Sequence, residues 1–105
     1  DLIRTILAGE PMDNRVIDNP AEHRFQMQLD GDDIAAAYYQ IDENGNVVLT
    51  HTEVPYEYSG RGIGTQLATG VFDLIRASGR KAVLKCSFMA QFFVTHPQYA
   101  DIVAG

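Results

Sequence analysis

A glycine-punctuated turn between a strand and a helix constrains the fold of this chain more than any other feature. The stretch from Val47 to Leu67 reads VVLTHTEVPYEYSGRGIGTQL. Its first half alternates with a period of two, which predicts a strand over Val47–Val54 that ends at Pro55, because proline cannot donate to a sheet. The alternation assigns one face to Val47, Leu49, His51 and Glu53, and the other to Val48, Thr50, Thr52 and Val54. From Ile63 the apolar residues recur at helical spacing, so we predict a helix over Ile63–Ser78 with Gly79 as its C-cap.

The turn itself indicates an anion site. Gly60, Gly62 and Gly64 surround Arg61 at the start of the predicted helix. Glycines there let backbone amides close on an anion, and the helix dipole adds partial positive charge. We therefore expect a phosphate cradle, with purely structural glycines as the alternative. A Walker-type site would need Lys and then Ser or Thr after the last glycine, and a dinucleotide fingerprint would need a βαβ opening in place of antiparallel strands.

Composition and charge limit the possible functions. A chain of 105 residues that is 46% hydrophobic forms one small domain with a single core. The lack of a long apolar run and the single cysteine lead us to expect a cytoplasmic protein that does not cross a membrane. A net charge of −6 argues against non-specific nucleic-acid binding. The first 60 residues hold 12 acidic and 3 basic residues, whereas the rest hold 2 and 5. An anionic ligand thus suits the second half and a cationic substrate the first, unless surface charges are sorted by chance.

The remaining elements complete an α+β domain. Residues 1–13 could form a frayed helical turn or an arm, and the sequence leaves both open. Val16 and Ile17 suggest a short edge strand, and period-two alternation predicts a strand around Phe25–Leu29. Ile34–Ile41 is expected to be the next strand, and the turns lie at Gly31-Asp32-Asp33 and Asn44-Gly45. A further strand is predicted over Ala82–Cys86. Ser87 is expected to cap a second helix that ends near His96-Pro97. A turn should then pack Tyr99, Ile102 and Val103 onto the sheet. We expect an antiparallel meander followed by a β-α-β-α unit whose two parallel strands splay apart.

Several ordered motifs carry a resemblance to a known family. The segment VPYEYSGRGIGTQL resembles motif A of the GNAT superfamily of N-acetyltransferases, in which Arg or Gln precedes x-x-Gly-x-Gly/Ala. More narrowly, the chain is similar to the minimal YjdJ-type GNAT-like acetyltransferases. The matching pieces span residues 16–103 and are Asn19 to Phe25, His51 to Pro55, Gly60 to Gly64, Cys86-x-Phe88 and His96 to Tyr99. Ser59 departs from the pattern because it stands where the superfamily has Arg or Gln.

This resemblance implies acetyl-coenzyme A as the ligand. The backbone amides of the turn would hold its diphosphate with charge from Arg61, and its pantetheine arm would pair with backbone near Thr52 and Val54 between the splayed strands. The implied cofactor-binding residues are Thr52, Val54, Gly60, Arg61, Gly62, Ile63, Gly64 and Thr65. An amine, on a small molecule or a protein, is the implied partner, and the chain is expected to be a monomer or weak dimer that binds neither nucleic acid nor membrane.

Three residues are candidates for catalysis. His51 and Glu53 share a strand face, so either could take a proton from an amine, although a surface pair is the simpler interpretation. Cys86 is either a small buried hydrophobe or a thiol facing the acetyl group, which would accept it covalently or line its pocket. Many GNAT enzymes use a tyrosine on the last helix as general acid, but SFMAQFF has none, so that role stays unassigned. His23 and His96 are interpreted as structural, with no metal site.

Two functions follow from these features. The first is an acetyl-coenzyme A-dependent N-acetyltransferase acting on a primary amine, with an acceptor site that is open because so short a chain lacks walls around it. The second is a coenzyme A-binding sensor or scaffold with a GNAT fold and no turnover. Ser59 and the missing tyrosine favour the second function, whereas His51, Glu53 and Cys86 favour the first.

Overall fold

The computed structural model describes residues 15–105, so both interpretations of residues 1–13 lie outside it. Within the described range, one mixed sheet has the strand order β1-β2-β3-β4-β5. The strands are β1 (Val16–Asn19), β2 (Arg24–Gln28), β3 (Ile34–Ile41), β4 (Val47–Glu53) and β5 (Ala82–Leu84). The helices are α1 (Ile63–Ser78) and α2 (Ser87–Thr95), with short 3-10 helices at Pro20–Glu22, Tyr56–Tyr58 and Pro97–Ile102. The predicted α+β architecture is confirmed.

The first four strands form the predicted antiparallel meander. Both predicted turns are present, with Gly31 and Gly45 at positive φ. At the second turn the Asp42 carboxylate accepts hydrogen bonds from the amides of Asn44 and Asn46, each 2.9 Å long. These backbone hydrogen bonds, with that of Asn46 the strongest influence, hold the pKa of Asp42 below its ordinary value. Turn chemistry therefore fixes the register of β3 against β4.

The core lies on one face of the sheet, beneath α1. Ala35, Ala37 and Tyr39 of β3 are buried on this inner face, together with Leu67 and Phe72 of α1. The small alanine side chains permit the close helix packing that the sequence suggested. Helix α1 ends as predicted at Gly79, which adopts the left-handed conformation and donates its amide to the Arg76 carbonyl.

After α1 the chain returns as β5, which pairs in parallel with β4 as predicted. The following 3-10 helix buries Tyr99 and Ile102, and Val103 bridges to Ala82 on the other edge of β5. Two local predictions are wrong. Strand β5 ends at Leu84 rather than Cys86, because the amides of Lys85 and Cys86 both turn to the Leu49 carbonyl. Ser87 is the first residue of α2 rather than its cap, since Cys86 occupies the N-cap position without a side-chain cap hydrogen bond.

A bulge in β4 overturns the predicted assignment of its faces. Tyr39 pairs with Leu49, but Tyr38 pairs with His51, so Thr50 is an extra residue on β4. Beyond a bulge the alternation of side chains changes phase. Thus His51 and Glu53 share a face, as predicted, but it is the outer face, opposite the buried Val47 and Leu49.

Candidate active site

The two parallel strands separate next to the glycine turn. Strand β4 pairs with β5 from Val47 to Leu49, opposite Ala82 to Leu84, and then continues alone to Glu53. The Leu49 carbonyl accepts from the amides of both Lys85 and Cys86, at 3.0 Å each, which marks the point of divergence. This confirms the expected splay of the parallel strands, and it leaves the β4 backbone beyond Leu49 without a pairing partner on β5.

The glycine turn presents a row of amides that have no hydrogen-bond acceptor among residues 15–105. Gly60 and Gly62 have φ of 79° and 76°, and Gly62 is the N-cap of α1. The first intrahelical bond runs from the Gln66 amide to the Gly62 carbonyl at 3.1 Å. The amides from Gly62 to Thr65 donate to no described residue. These donors at the positive end of a 16-residue helix fit a diphosphate.

A buried tyrosine fixes the loop before the turn. The Tyr58 hydroxyl donates to Asp33 Oδ2 and accepts from the Asp30 amide, both at 3.0 Å, so the loop is tied to the β2–β3 turn. Burial raises the pKa of Tyr58, and the hydrogen bond to Asp33 also acts in that direction. The Arg61 guanidinium lies 5.0 Å from the centre of the Tyr58 ring. Tyr58 thus supports both the backbone of the turn and its one cationic side chain.

Ser59, the departure from the motif, is engaged within its own turn. Its hydroxyl donates to the Tyr56 carbonyl at 2.7 Å. The side chain therefore closes the 3-10 turn over Tyr56–Tyr58. Its proton is donated within this turn and not toward a ligand at the helix start.

The single cysteine lies where the strands diverge. Cys86 is 8% exposed, and its Sγ is 3.2 Å from Thr52 Oγ1 on β4. The pair spans the gap between β4 and the start of α2. Lys85, the nearest cation in sequence, is exposed. Cys86 is thus a buried thiol at the inner end of the gap.

A histidine–carboxylate pair occupies the outer face of β4. His51 Nε2 lies 3.1 Å from Glu53 Oε2, and both side chains are 61% exposed. The Tyr38 ring stacks on the His51 ring, with centroids 6.0 Å apart and an interplanar angle of 25°. Opposite Glu53 on β3 lies Ala36, which is buried. A small cavity of about 440 Å³ lies here, lined by Ile34, His51, Thr52, Glu53, Val54 and Pro55.

The predicted site residues therefore form two groups. Thr52 and Cys86 meet on the inner side of the strand gap, whereas His51 and Glu53 meet on the outer face. His51, Thr52 and Glu53 are consecutive on β4, and Cys86 contacts Thr52 across the gap. A second groove, of about 560 Å³, runs between α1 and the far end of the sheet and contains none of these residues. There burial, followed by a hydrogen bond to Asp18, raises the pKa of Tyr39 to about 12.

The other singled-out side chains have structural partners. The His96 ring stacks on Phe92 at 3.9 Å, and its Nδ1 lies 2.8 Å from the Phe92 carbonyl. His23 adopts a left-handed conformation after the first 3-10 helix. The Tyr99 hydroxyl donates to Asp73 Oδ1 at 2.9 Å, and burial, followed by that bond, raises the pKa of Tyr99. None of these three is placed as a proton donor at the strand gap.

Sequence reasoning missed Tyr58 and Tyr38. Tyr56 and Tyr58 sit two positions apart in one polar loop, yet Tyr56 is 88% exposed and Tyr58 only 4%. Nothing local distinguishes them. Tyr38 could not have been found from the hairpin alone, because a regular register across Asn44-Gly45 pairs it with Thr50, and only the bulge places it opposite His51.

Two kinds of feature are absent from residues 15–105. No helix there has the length and apolar character needed to cross a bilayer. No cluster of three or more His, Cys, Asp or Glu side chains could hold a metal ion.

Comparison with known proteins gives consistent matches. The family model described as GCN5-related N-acetyl-transferase matches residues 24–102. Protein NATD1 of Danio rerio is 34% identical over 90 residues, covering 83% of this chain and 82% of its own. Protein NATD1 of Homo sapiens is 33% identical over 90 residues, with 83% and 80% covered. Protein NATD1 of Gallus gallus is 35% identical over 81 residues, covering 74% of each chain. The matched region contains both the strand gap and the glycine turn.

Proposed function

Because the chain belongs to the GCN5-related N-acetyltransferases, we propose that it is an enzyme that transfers the acetyl group of acetyl-coenzyme A to a primary amine. One observation carries the proposal most directly. The free amides from Gly62 to Thr65 lie at the start of α1, beside the gap between β4 and β5. A diphosphate needs several donors in one place, and a thioester arm needs unpaired strand backbone.

Each part of the ligand has matching residues in this chain. Gly60 through Thr65 would hold the diphosphate, with Arg61 adding charge, and the backbone of Thr52 and Val54 would hold the pantetheine arm. Acetyl-coenzyme A would supply an activated acyl group whose thiolate leaves readily. Bringing an amine next to that thioester is the main catalytic contribution we expect, because fixed geometry replaces a bimolecular encounter.

The outer-face pair would prepare the amine. An amine attacks only after it has lost its proton, and a histidine can take that proton near neutral pH. Glu53, 3.1 Å from His51 Nε2, would orient the ring and attract a cationic acceptor. Both side chains are 61% exposed, so the proton passes readily to water. Exposure of the pair also suits a long acceptor, such as a lysine side chain of a protein.

Cys86 would line the thioester end of the gap. Its Sγ already lies 3.2 Å from the Thr52 hydroxyl, and the side chain is 8% exposed, which suits an apolar wall better than a nucleophile that must meet solvent-borne substrates. We therefore propose direct transfer to the amine. If Cys86 were acetylated instead, mass spectrometry after incubation with acetyl-coenzyme A would show an added acetyl group that is absent from Cys86→Ala.

Turnover tests the proposal. The purified chain is incubated with acetyl-coenzyme A and either a lysine-containing peptide or a small amine, and both free thiol and acetylated acceptor are measured. We expect acetylated peptide, at a rate that His51→Ala lowers by about 100-fold or more, as for loss of a general base. His96→Ala is the matched control, since His96 stacks on Phe92 away from the gap. Acetylation of small amines but not of peptides would contradict the open acceptor site.

The second candidate is a coenzyme A sensor without turnover. It is favoured by the Tyr99 hydroxyl, which donates to Asp73, and by the Ser59 hydroxyl, which donates to Tyr56. Neither is free to assist the leaving thiolate. Tight binding of acetyl-coenzyme A with no acetylated product from any amine would establish this alternative and overturn the first.

A further inference from the structure

An aromatic ring of α2 rests on a glycine of α1, at the edge of the proposed ligand site. Phe88 is the second residue of α2, and Gly64 is the second residue of α1. A Cβ atom built on Gly64 would lie 2.7 Å from Phe88 Cζ and 3.2 Å from Cε1. Gly64 has an ordinary helical backbone, so no torsion angle requires glycine there. The ring of Phe88, in contact with the bare Cα, is what excludes a larger residue.

Phe88 is linked to both parts of the site, to the turn by contact and to Cys86 by sequence. Its ring contacts Gly64, whose amide belongs to the row from Gly62 to Thr65. Along the chain Phe88 follows Cys86, the N-cap of α2, by two residues. The next residue, Met89, is fully buried in the core, whereas Phe88 is 39% exposed. An aromatic side chain that remains so exposed at a helix start has apolar surface available for a ligand.

We propose that the Phe88 ring is the apolar wall that receives the geminal dimethyl group of coenzyme A. This inference rests on the proposed function. In coenzyme A those two methyl groups are the first apolar atoms next to the diphosphate, on the pantetheine side. Because the Phe88 ring contacts the turn that would bind the diphosphate, it lies next to the region where these methyl groups would leave that turn. Phe88 is thus a binding residue that selects for the branched arm.

The test compares two ligands on two proteins. Affinities for coenzyme A and for a synthetic coenzyme A lacking both methyl groups are measured by titration calorimetry. We expect the unaltered chain to prefer coenzyme A by about 15-fold, since each of the two buried methyl groups contributes roughly a fourfold factor. In Phe88→Ala this preference should fall to about twofold or less. Gly64→Ala should reduce it too, because the new Cβ displaces the ring.

Two controls make the outcome decisive. Val94→Ala removes an exposed apolar side chain from the same helix (72% exposed) and should keep the full preference. Phe88→Leu serves if Phe88→Ala does not fold, and it should show a reduced preference. Equal affinity of the unaltered chain for both ligands, or an undiminished preference in the Phe88 variants, would overturn the inference while leaving coenzyme A binding intact. Failure of the unaltered chain to bind coenzyme A at all would overturn the proposed function itself.

Discussion

Two glycines at opposite ends of α1 allow the role of the turn to be separated from its stability. Gly62, the N-cap, has φ 76° and ψ 13°, and Gly79, the C-cap, has φ 78° and ψ 6°. Neither has an atom within 4 Å of an added Cβ, so the backbone conformation is the only obstacle to alanine. Placing an L-residue in this region costs about 1–2 kcal/mol. Gly62→Ala and Gly79→Ala should therefore lower the melting temperature equally, by ~4–8 °C per kcal/mol for a domain of this size.

Ligand binding should distinguish the two variants. At a concentration of 100 times Kd, acetyl-coenzyme A should add about 2.7 kcal/mol to the unfolding free energy of the unaltered chain and of Gly79→Ala. In Gly62→Ala the strained residue turns its own amide and the next one away from a common target. A tenfold loss of affinity would reduce the gain to about 1.4 kcal/mol at the same concentration. Calorimetric melting of the unaltered chain and of both variants, with and without acetyl-coenzyme A, measures these gains in unfolding free energy.

The control determines how the result is interpreted. Equal loss of the ligand-induced shift in both variants would mean that general destabilisation, not the amide row, weakens binding. A full shift in Gly62→Ala would refute the assignment of the diphosphate to this turn. Only a shift lost in Gly62→Ala and kept in Gly79→Ala agrees with the proposed geometry.

Three further predictions concern the support of the site and the stability of the fold. Tyr58→Phe removes both hydrogen bonds of the hydroxyl, including that to Asp33. It should therefore lower the melting temperature by ~5 °C and weaken acetyl-coenzyme A binding. An unchanged affinity would mean that the turn needs no anchor. Gly70→Ala should destabilise the chain by ~1–3 kcal/mol, because its Cβ would overlap Val16 of the edge strand, and retained stability in denaturant titration would show that β1 shifts freely. The hydrogen bond from Arg76 lowers the pKa of Asp101, so stability from this pair is complete above the ordinary carboxyl pKa and is lost as the pH falls through the lowered one. Melting curves of Asp101→Asn should thus differ from those of the unaltered chain at pH 7 and converge with them near pH 2.

The regular elements could be predicted because each has a complete local signal. The bounds of β3 and α1 follow from alternation over Ile34–Ile41 and from helical spacing closed by a C-cap glycine. The glycine turn was likewise predictable, since glycines directly before a helical pattern indicate a turn with positive φ, as Gly60 and Gly62 have. These signals depend only on neighbours in sequence.

The errors share a different origin. The phase of β4 depends on the extra residue Thr50, and no residue type in VVLTHTE marks a bulge. The end of β5 depends on the Leu49 carbonyl, which lies on another strand. The burial of Tyr58 depends on Asp33, 25 residues away in sequence. In each case a tertiary contact determines the local structure, so local patterns in a single sequence could not predict that structure.

The inserted residue in β4 allows one strand to serve two environments. Before Thr50, the side chains beneath the helix are Val47 and Leu49, which bury apolar surface. If Thr50 were paired as a regular strand residue, strict alternation would direct the His51 imidazole and the Glu53 carboxylate toward the apolar face of α1, where an ionised group costs several kcal/mol. The bulge at Thr50 therefore places His51 and Glu53 in solvent while Val47 and Leu49 stay in the core.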